Sequence, residues 1–203
     1  MTAPNPIRAV ALSLLVSLAC VSCRSTADDV VEQDYPVLRS TEMGSMHNVS
    51  VAGSVWFGGT PSAEDLDLAK RRGIESVIAL TGSDRTAYAD LARKCGELGL
   101  EFVTVPVASN ETVPEGTVDM VLESLRGASE APTLMFCESG DKSAMFFAIH
   151  RAVNENVAVE DALVEARRAG MKPGPPEIFV LRHIERLTGW ELLAAEDADG
   201  AGS

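Results

Sequence analysis

Histidine is scarce in this chain, with three residues among 203, and cysteine numbers four. No His/Cys set recurs at metal-ligand spacing, which excludes a structural zinc site of the finger or ribbon type. Positive charge is also short: 17 Lys and Arg stand against 30 Asp and Glu, leaving a net charge of −13. Binding nucleic acid by phosphate neutralisation needs clustered Lys/Arg, and a polybasic membrane patch needs the same. Both classes are excluded. No apolar run reaches the about 20 residues that span a bilayer, and no internal repeat is evident. What is present is an ordinary globular share of hydrophobic residues, 46%, in a length that suits one domain.

The first stretch reads as targeting rather than fold. Arg8 gives a positive start, and Ala9 to Ala19 forms a short apolar run. Small residues then precede Cys20 and Cys23. This is the pattern of a secretory signal, and both cysteines resemble imperfect bacterial lipobox sites. The resemblance implies cleavage before Cys20 or Cys23 and lipidation of that residue. A plain signal peptide with incidental cysteines is the alternative, which would give a soluble periplasmic or secreted protein. Residues 1–23 are therefore expected to be a signal peptide. Residues 24–50 have mixed charge and little periodicity, and are expected to form a flexible tether that includes a solvated His47.

From there the pattern alternates. Ser62-Ala63-Glu64-Asp65 has the form of a capping box at a helix start. Ser76–Leu80 and Phe102–Val105 read as short buried strands, with a helix over Thr86–Leu98 between them. Pro114 fits a first helical turn, and Val118, Val121, Leu122 and Leu125 follow at helical spacing. Thr133–Phe136 is a further strand. Strands alternating with helices predict an α/β fold, with a short mainly parallel sheet between two layers of helices. Met145, Phe146, Phe147 and Ile149 are apolar on all sides of their helix, which suits a central buried one. After the break at Pro173-Gly174-Pro175-Pro176, a last helix is expected to face inward with Ile178, Leu181, Ile184 and Leu187. The domain is expected over residues 51–189, with 190–203 as a disordered acidic tail. His150 and His183 read as surface residues, and Cys95 as a half-buried helix residue. A Cys95–Cys137 disulfide stays open at this level.

The most informative segment is Phe136-Cys137-Glu138-Ser139-Gly140-Asp141-Lys142-Ser143. A strand, a tight loop and a helix start make an anion cradle, because loop amides and the helix dipole point positive charge inward. A cysteine at its floor is favoured as thiolate, so nucleophile and oxyanion site come from one segment. The alternative is a structural cysteine buried at a strand end.

The loop resembles the signature of cysteine-dependent phosphatases of the protein tyrosine phosphatase superfamily. The four residues between Cys137 and Lys142 resemble the spacing of its compact dual-specificity branch, the beta-lactamase-hydrolase-like phosphatase domain. Val55 to Ser62, Arg72 to Leu80, Gly99 to Val107 and Glu160 to Met171 resemble further blocks of that domain, in order. Two positions depart from the family. Phe136 stands where it has His, and Lys142 where it has Arg. Lys lacks the planar fork that grips two phosphate oxygens.

The resemblance implies hydrolysis of phosphate monoesters through a phosphocysteine intermediate, with no metal or organic cofactor. In that reading Cys137 is the nucleophile, and Glu138, Ser139, Gly140 and Asp141 line the anion. Lys142 holds an oxygen, and Ser143 assists release of the sulfur. Glu111 is the candidate general acid, because the loop after the third strand, Ala108 to Thr112, has no Asp. Asp84 and Arg85 are candidate rim residues. The substrate is expected to be a phosphorylated protein or a small phosphate monoester. A binding module that keeps the cradle without turnover and a rhodanese-like sulfurtransferase are the alternatives.

Expressed with its leader in a bacterial host, the mature chain should carry acyl mass on Cys20 or Cys23. The double change Cys20→Ser, Cys23→Ser should move it from the membrane pellet to the soluble fraction. An unchanged pellet contradicts the anchor.

Overall fold

Pleat alternation decides which side of the sheet each residue of the cysteine strand faces. In the computed structural model, which describes residues 35–82, 86, 88–107, 113–114 and 116–193, six strands form one sheet. They are β1 (Arg39–Ser40), β2 (Ser50–Ala52), β3 (Val55–Gly58), β4 (Ser76–Thr81), β5 (Glu101–Pro106) and β6 (Thr133–Phe136). Their spatial order is β1-β2-β3-β6-β4-β5. β3, β6, β4 and β5 run parallel, and β1 and β2 add antiparallel at one edge. Six helices cover the sheet: α1 (Ala63–Arg71), α2 (Ala89–Leu98), α3 (Thr117–Arg126), α4 (Asp141–Asn154), α5 (Val159–Arg168) and α6 (Pro175–Thr188). This is the expected α/β architecture.

Two apolar clusters lie on opposite faces. One joins α1 and α2 to Trp56, Val77, Ala79, Leu134 and Phe136. The other joins α3, α4, α5 and α6 to Phe57, Ile78, Leu80, Met135 and Cys137. The period of two along a strand sends alternate residues to each side. The chain runs outward from β3 to β4 and β5 with its helices on the first face. It then crosses by α3 on the other face and drops β6 between β3 and β4. That reversal is a topological switch point, and open α/β sheets bind ligands outside the strand carboxyl ends there. Cys137 follows β6 at this point.

α4 is buried nearly all round, from Ser143 to Ala152. Its one buried cation, Arg151, donates to Glu165 through Nε and Nη2 at 2.7 and 3.0 Å, and also to Glu155. The Tyr35 ring lies 4.6 Å from its guanidinium carbon. Full pairing is what makes such a buried charge tolerable.

Several expectations need correction. The tether does not reach residue 50. Met43, Met46 and Val49 are buried against the α1 side, and β1 and β2 extend the sheet, so 35–50 belongs to the domain. Asp65 anchors this segment: it accepts from the Ser45 N–H and hydroxyl and from the Ser62 N–H, each at 2.8 Å. Gly44 lets the chain pass, since φ is +58° and a Cβ there would sit 1.8 Å from Asp65 Oδ1. The predicted capping box at Ser62 is present.

Pro114 precedes α3 without entering it, because Gly116 in the left-handed region caps the helix. α6 turns Phe179, Val180 and Ile184 inward, with Leu181 and Leu187 half-buried and Ile178 exposed. Trp190 to Leu193 do not fray from it: the Glu185 carboxylate accepts from the Leu192 and Leu193 N–H groups. Residues 194–203 lie outside the described residues, as do residues 1–23, where a signal peptide is expected, and residues 24–34.

His150 is buried, not surface. Its Nδ1 meets Asn154 Nδ2 at 2.8 Å, and its Nε2 lies 3.5 Å from Glu155. His183 is half-buried beside the Phe179 ring. Cys95 is fully buried rather than half-buried. Both described cysteines are free thiols. They sit in clusters on opposite faces of the sheet, which is why they do not pair.

Asp65→Ala should cost about 1–3 kcal/mol in urea unfolding at pH 7, since three part-buried hydrogen bonds to a carboxylate are lost. Burial alone would raise the Asp65 carboxyl, but the Ser62 and Ser45 donors hold it below its ordinary 3.8. Such a carboxylate adds stability above its unfolded value and loses it as pH falls through the lower folded value. The gap between parent and variant should therefore close in acid.

Candidate active site

Three backbone segments meet with almost no side chain between them to form the floor of the site. The Cys137 N–H donates to the Gly58 carbonyl at 3.2 Å, and the Gly59 N–H to the His47 carbonyl at 2.8 Å. Asn48 Nδ2 donates to the Ser139 carbonyl at 2.8 Å. Gly140 caps α4 at φ +94°, and a Cβ there would lie 3.1 Å from the Gly58 carbonyl carbon and 3.2 Å from the Gly59 nitrogen. Only glycine takes that turn without strain. The loop from Cys137 to Asp141 is thus pinned from β3 and from the 47–48 segment. His47 was expected only as a solvated tether residue and Asn48 did not stand out, because their contribution is a carbonyl and an amide set by tertiary contact. His47 itself is exposed.

Cys137 is 1% exposed, yet it lines an open hollow of about 350 Å³. Leu80, Gly82, Tyr88, Glu138, Ser139, Asp141 and Lys142 line the rest. Its sulfur accepts from the Gly140 N–H at 3.2 Å. Burial pushes the thiol above its ordinary 9.0, and the Asp141 carboxylate adds to this, while the amides of Ser143, Gly140 and Lys142 pull the other way. Burial and the Asp141 charge therefore work against the preformed thiolate expected from the loop.

The remaining site residues fall as follows. Asp141 turns into the cradle: its Oδ1 lies 3.5 Å from Cys137 Sγ and accepts from the Ser139 hydroxyl at 2.8 Å and the Lys142 N–H at 2.7 Å. Burial alone would raise this carboxyl, but those donors and the Lys142 charge keep it below its ordinary value. Lys142 Nζ donates to the Val107 carbonyl at 3.1 Å, across the mouth toward the end of β5. The Ser143 hydroxyl is buried and within bonding distance of the Gly140 and Gly58 carbonyls, at 2.8 and 3.1 Å. In this arrangement the hydroxyl is engaged by backbone carbonyls. Glu138 is exposed at the rim. Phe136 points to the opposite face, edge-on to Tyr88 with ring centres 5.0 Å apart. Glu111, Asp84 and Arg85 lie outside the described residues.

Solved structures share this arrangement of strands and helices. TpbA of P. aeruginosa, solved with phosphotyrosine bound, superposes with a TM-score of 0.57 at 20% identity, over 70% of this chain and 87% of that one. The core catalytic domain of the SIW14 PP-IP phosphatase of S. cerevisiae gives 0.57 at 18% identity, over 71% and 94%. A kinase-associated phosphatase with its catalytic-site cysteine changed to serine gives 0.58 at 14% identity, over 68% and 89%. The chain has the fold of the cysteine phosphatases. No family model and no curated protein matches its sequence.

Alkylation of Cys137 by iodoacetamide, followed by mass spectrometry, should be slow at pH 7 and climb through a pKa above 9.0. Cys95, whose thiol burial pushes up to about 11, should react later still. A plateau rate at Cys137 by pH 7 contradicts the resting thiol.

Proposed function

We propose that this chain hydrolyses phosphate monoesters through Cys137, at a rate held down by its loop chemistry. One observation carries the reading: at the sheet's switch point, on the floor of an open hollow, the Cys137 sulfur accepts the Gly140 N–H at 3.2 Å, with the Ser143 and Lys142 amides also favouring its anion. That arrangement offers a nucleophile and donors for the equatorial oxygens of a transferring phosphoryl group.

In this reading the thiolate form of Cys137 attacks phosphorus in line. The S–P bond forms as the ester P–O bond breaks, and an acid at the rim protonates the departing alcohol. Glu111 is the candidate, in the segment that leads on from β5. Water then attacks the phosphocysteine, the P–S bond breaks, and the thiolate returns. The amides of Gly140, Lys142 and Ser143 hold the oxygens throughout. Lys142 adds charge but no fork, and must leave the Val107 carbonyl to do so. The substrate is a phosphorylated protein or a small phosphate ester, in keeping with the phosphotyrosine bound to the similar TpbA. An exported, lipid-anchored chain would meet such substrates at the cell envelope.

Reduced protein should release phosphate slowly from p-nitrophenyl phosphate, and Cys137→Ser should abolish it. Lys142→Arg should raise kcat by on the order of 10²–10³, the effect of one well-placed oxyanion donor. Zero release from both the parent and the Arg variant rejects the catalytic reading. If phosphate still shields Cys137 from alkylation in that case, the domain is an anion-binding module.

A further inference from the structure

The cradle is not vacant at rest. Asp141 Oδ1 takes the Lys142 N–H at 2.7 Å and the Ser139 hydroxyl at 2.8 Å, and sits 3.5 Å from the sulfur. These are donors that the oxygens of a bound phosphoryl group need. The carboxylate also lies at the first residue of α4, where the helix dipole favours an anion. Among the described residues, Glu138 and Lys142 are the other charged side chains on the hollow. Lys142 is spent on the Val107 carbonyl, so it does not draw Asp141 outward.

Resting on the phosphatase reading, we propose that Asp141 is an internal competitor for the oxyanion cradle, and that an incoming phosphate must displace it before Cys137 can react. The backbone need not move for this. Asp141 sits on a fixed helical turn, and rotation about its Cα–Cβ bond carries the carboxylate out toward solvent, where it is already partly exposed. The swing frees the Lys142 N–H and the Ser139 hydroxyl together. It also removes a negative charge from beside the sulfur, so anion binding and thiol ionisation are coupled through one side chain. Two anions within a few ångströms repel strongly at low local dielectric, so the cradle holds the carboxylate or the phosphate, not both.

The test measures how inorganic phosphate protects Cys137 from iodoacetamide in full-length reduced parent, Asp141→Ala and Asp141→Asn. The alanine variant should bind phosphate at least about tenfold more tightly, the worth of one charge-assisted bond returned to the ligand, and its thiol should titrate lower than the parent's. The asparagine variant keeps the shape and an acceptor oxygen but not the charge. Its thiol should therefore shift like the alanine variant's, with a smaller gain in affinity. If the alanine variant does not fold, the asparagine variant carries the same two readouts. Equal protection and equal thiol titration in parent and variants overturn the inference, and so does protection in none of them. Turnover is scored separately. A shifted variant that never releases phosphate keeps the competitor and rejects the catalytic reading, whereas an active parent with an unshifted variant does the reverse.

Discussion

The close approach of Gly58, Gly59 and Gly140 is the constraint on which this site rests. A loop that aims its amides inward must turn sharply, and here the turn is made against the end of a neighbouring strand. A Cβ at Gly140 would press on the Gly58 carbonyl carbon, the Gly59 nitrogen and Asn48. Without side chains at these points, the Gly58 carbonyl can hold the Cys137 N–H, and the Ser143 hydroxyl lies within reach of the same oxygen. The sulfur, the loop and the first turn of α4 are then one rigid unit. The 41–49 segment completes it from outside, since Asp65 fixes Ser45, the His47 carbonyl takes the Gly59 N–H after β3, and the Asn48 amide reaches the loop at Ser139.

Electrostatics then set what this rigid unit does. Burial of the thiol and the nearby carboxylate favour the protonated form, while three amides favour the anion. The first pair wins at rest. A cradle shaped for an external anion is occupied by an internal one, and the single cation of the loop is engaged at its edge. Shape and charge therefore point in different directions. The shape matches the cysteine-phosphatase structures, and the charge balance is what would make this chain slow or dependent on a ligand that can displace Asp141.

Much of the scaffold was legible in the residues. The alternation of β and α segments, the capping box at Ser62, the all-round apolar helix after Cys137 and the placing of Cys137 at a strand's carboxyl end all follow from local periodicity and capping chemistry, and all are present. The segment 35–50 was not legible. Its buried residues, Met43, Met46 and Val49, are spaced for neither a helix nor a long strand, and their burial comes from a partner surface on α1. His150 misled in the same way. A titratable residue reads as surface unless its partners are known, and its partners, Asn154 and Glu155, close over it at the end of α4.

The sequence by itself determined the order of elements and the presence of a cysteine in a glycine-bearing loop between a strand and a helix, because these depend on neighbours a few residues apart. Only the tertiary structure decided that the loop amides converge on the sulfur and that Asp141 turns in rather than out. It also decided that Lys142 reaches Val107 and that the segment before residue 50 props the loop. The Lys142 and Asn48 contacts join residues distant in the chain, and the local turn that aims the amides and Asp141 is held against Gly58 and Asn48, so the arrangement exists only once the sheet has brought these partners together.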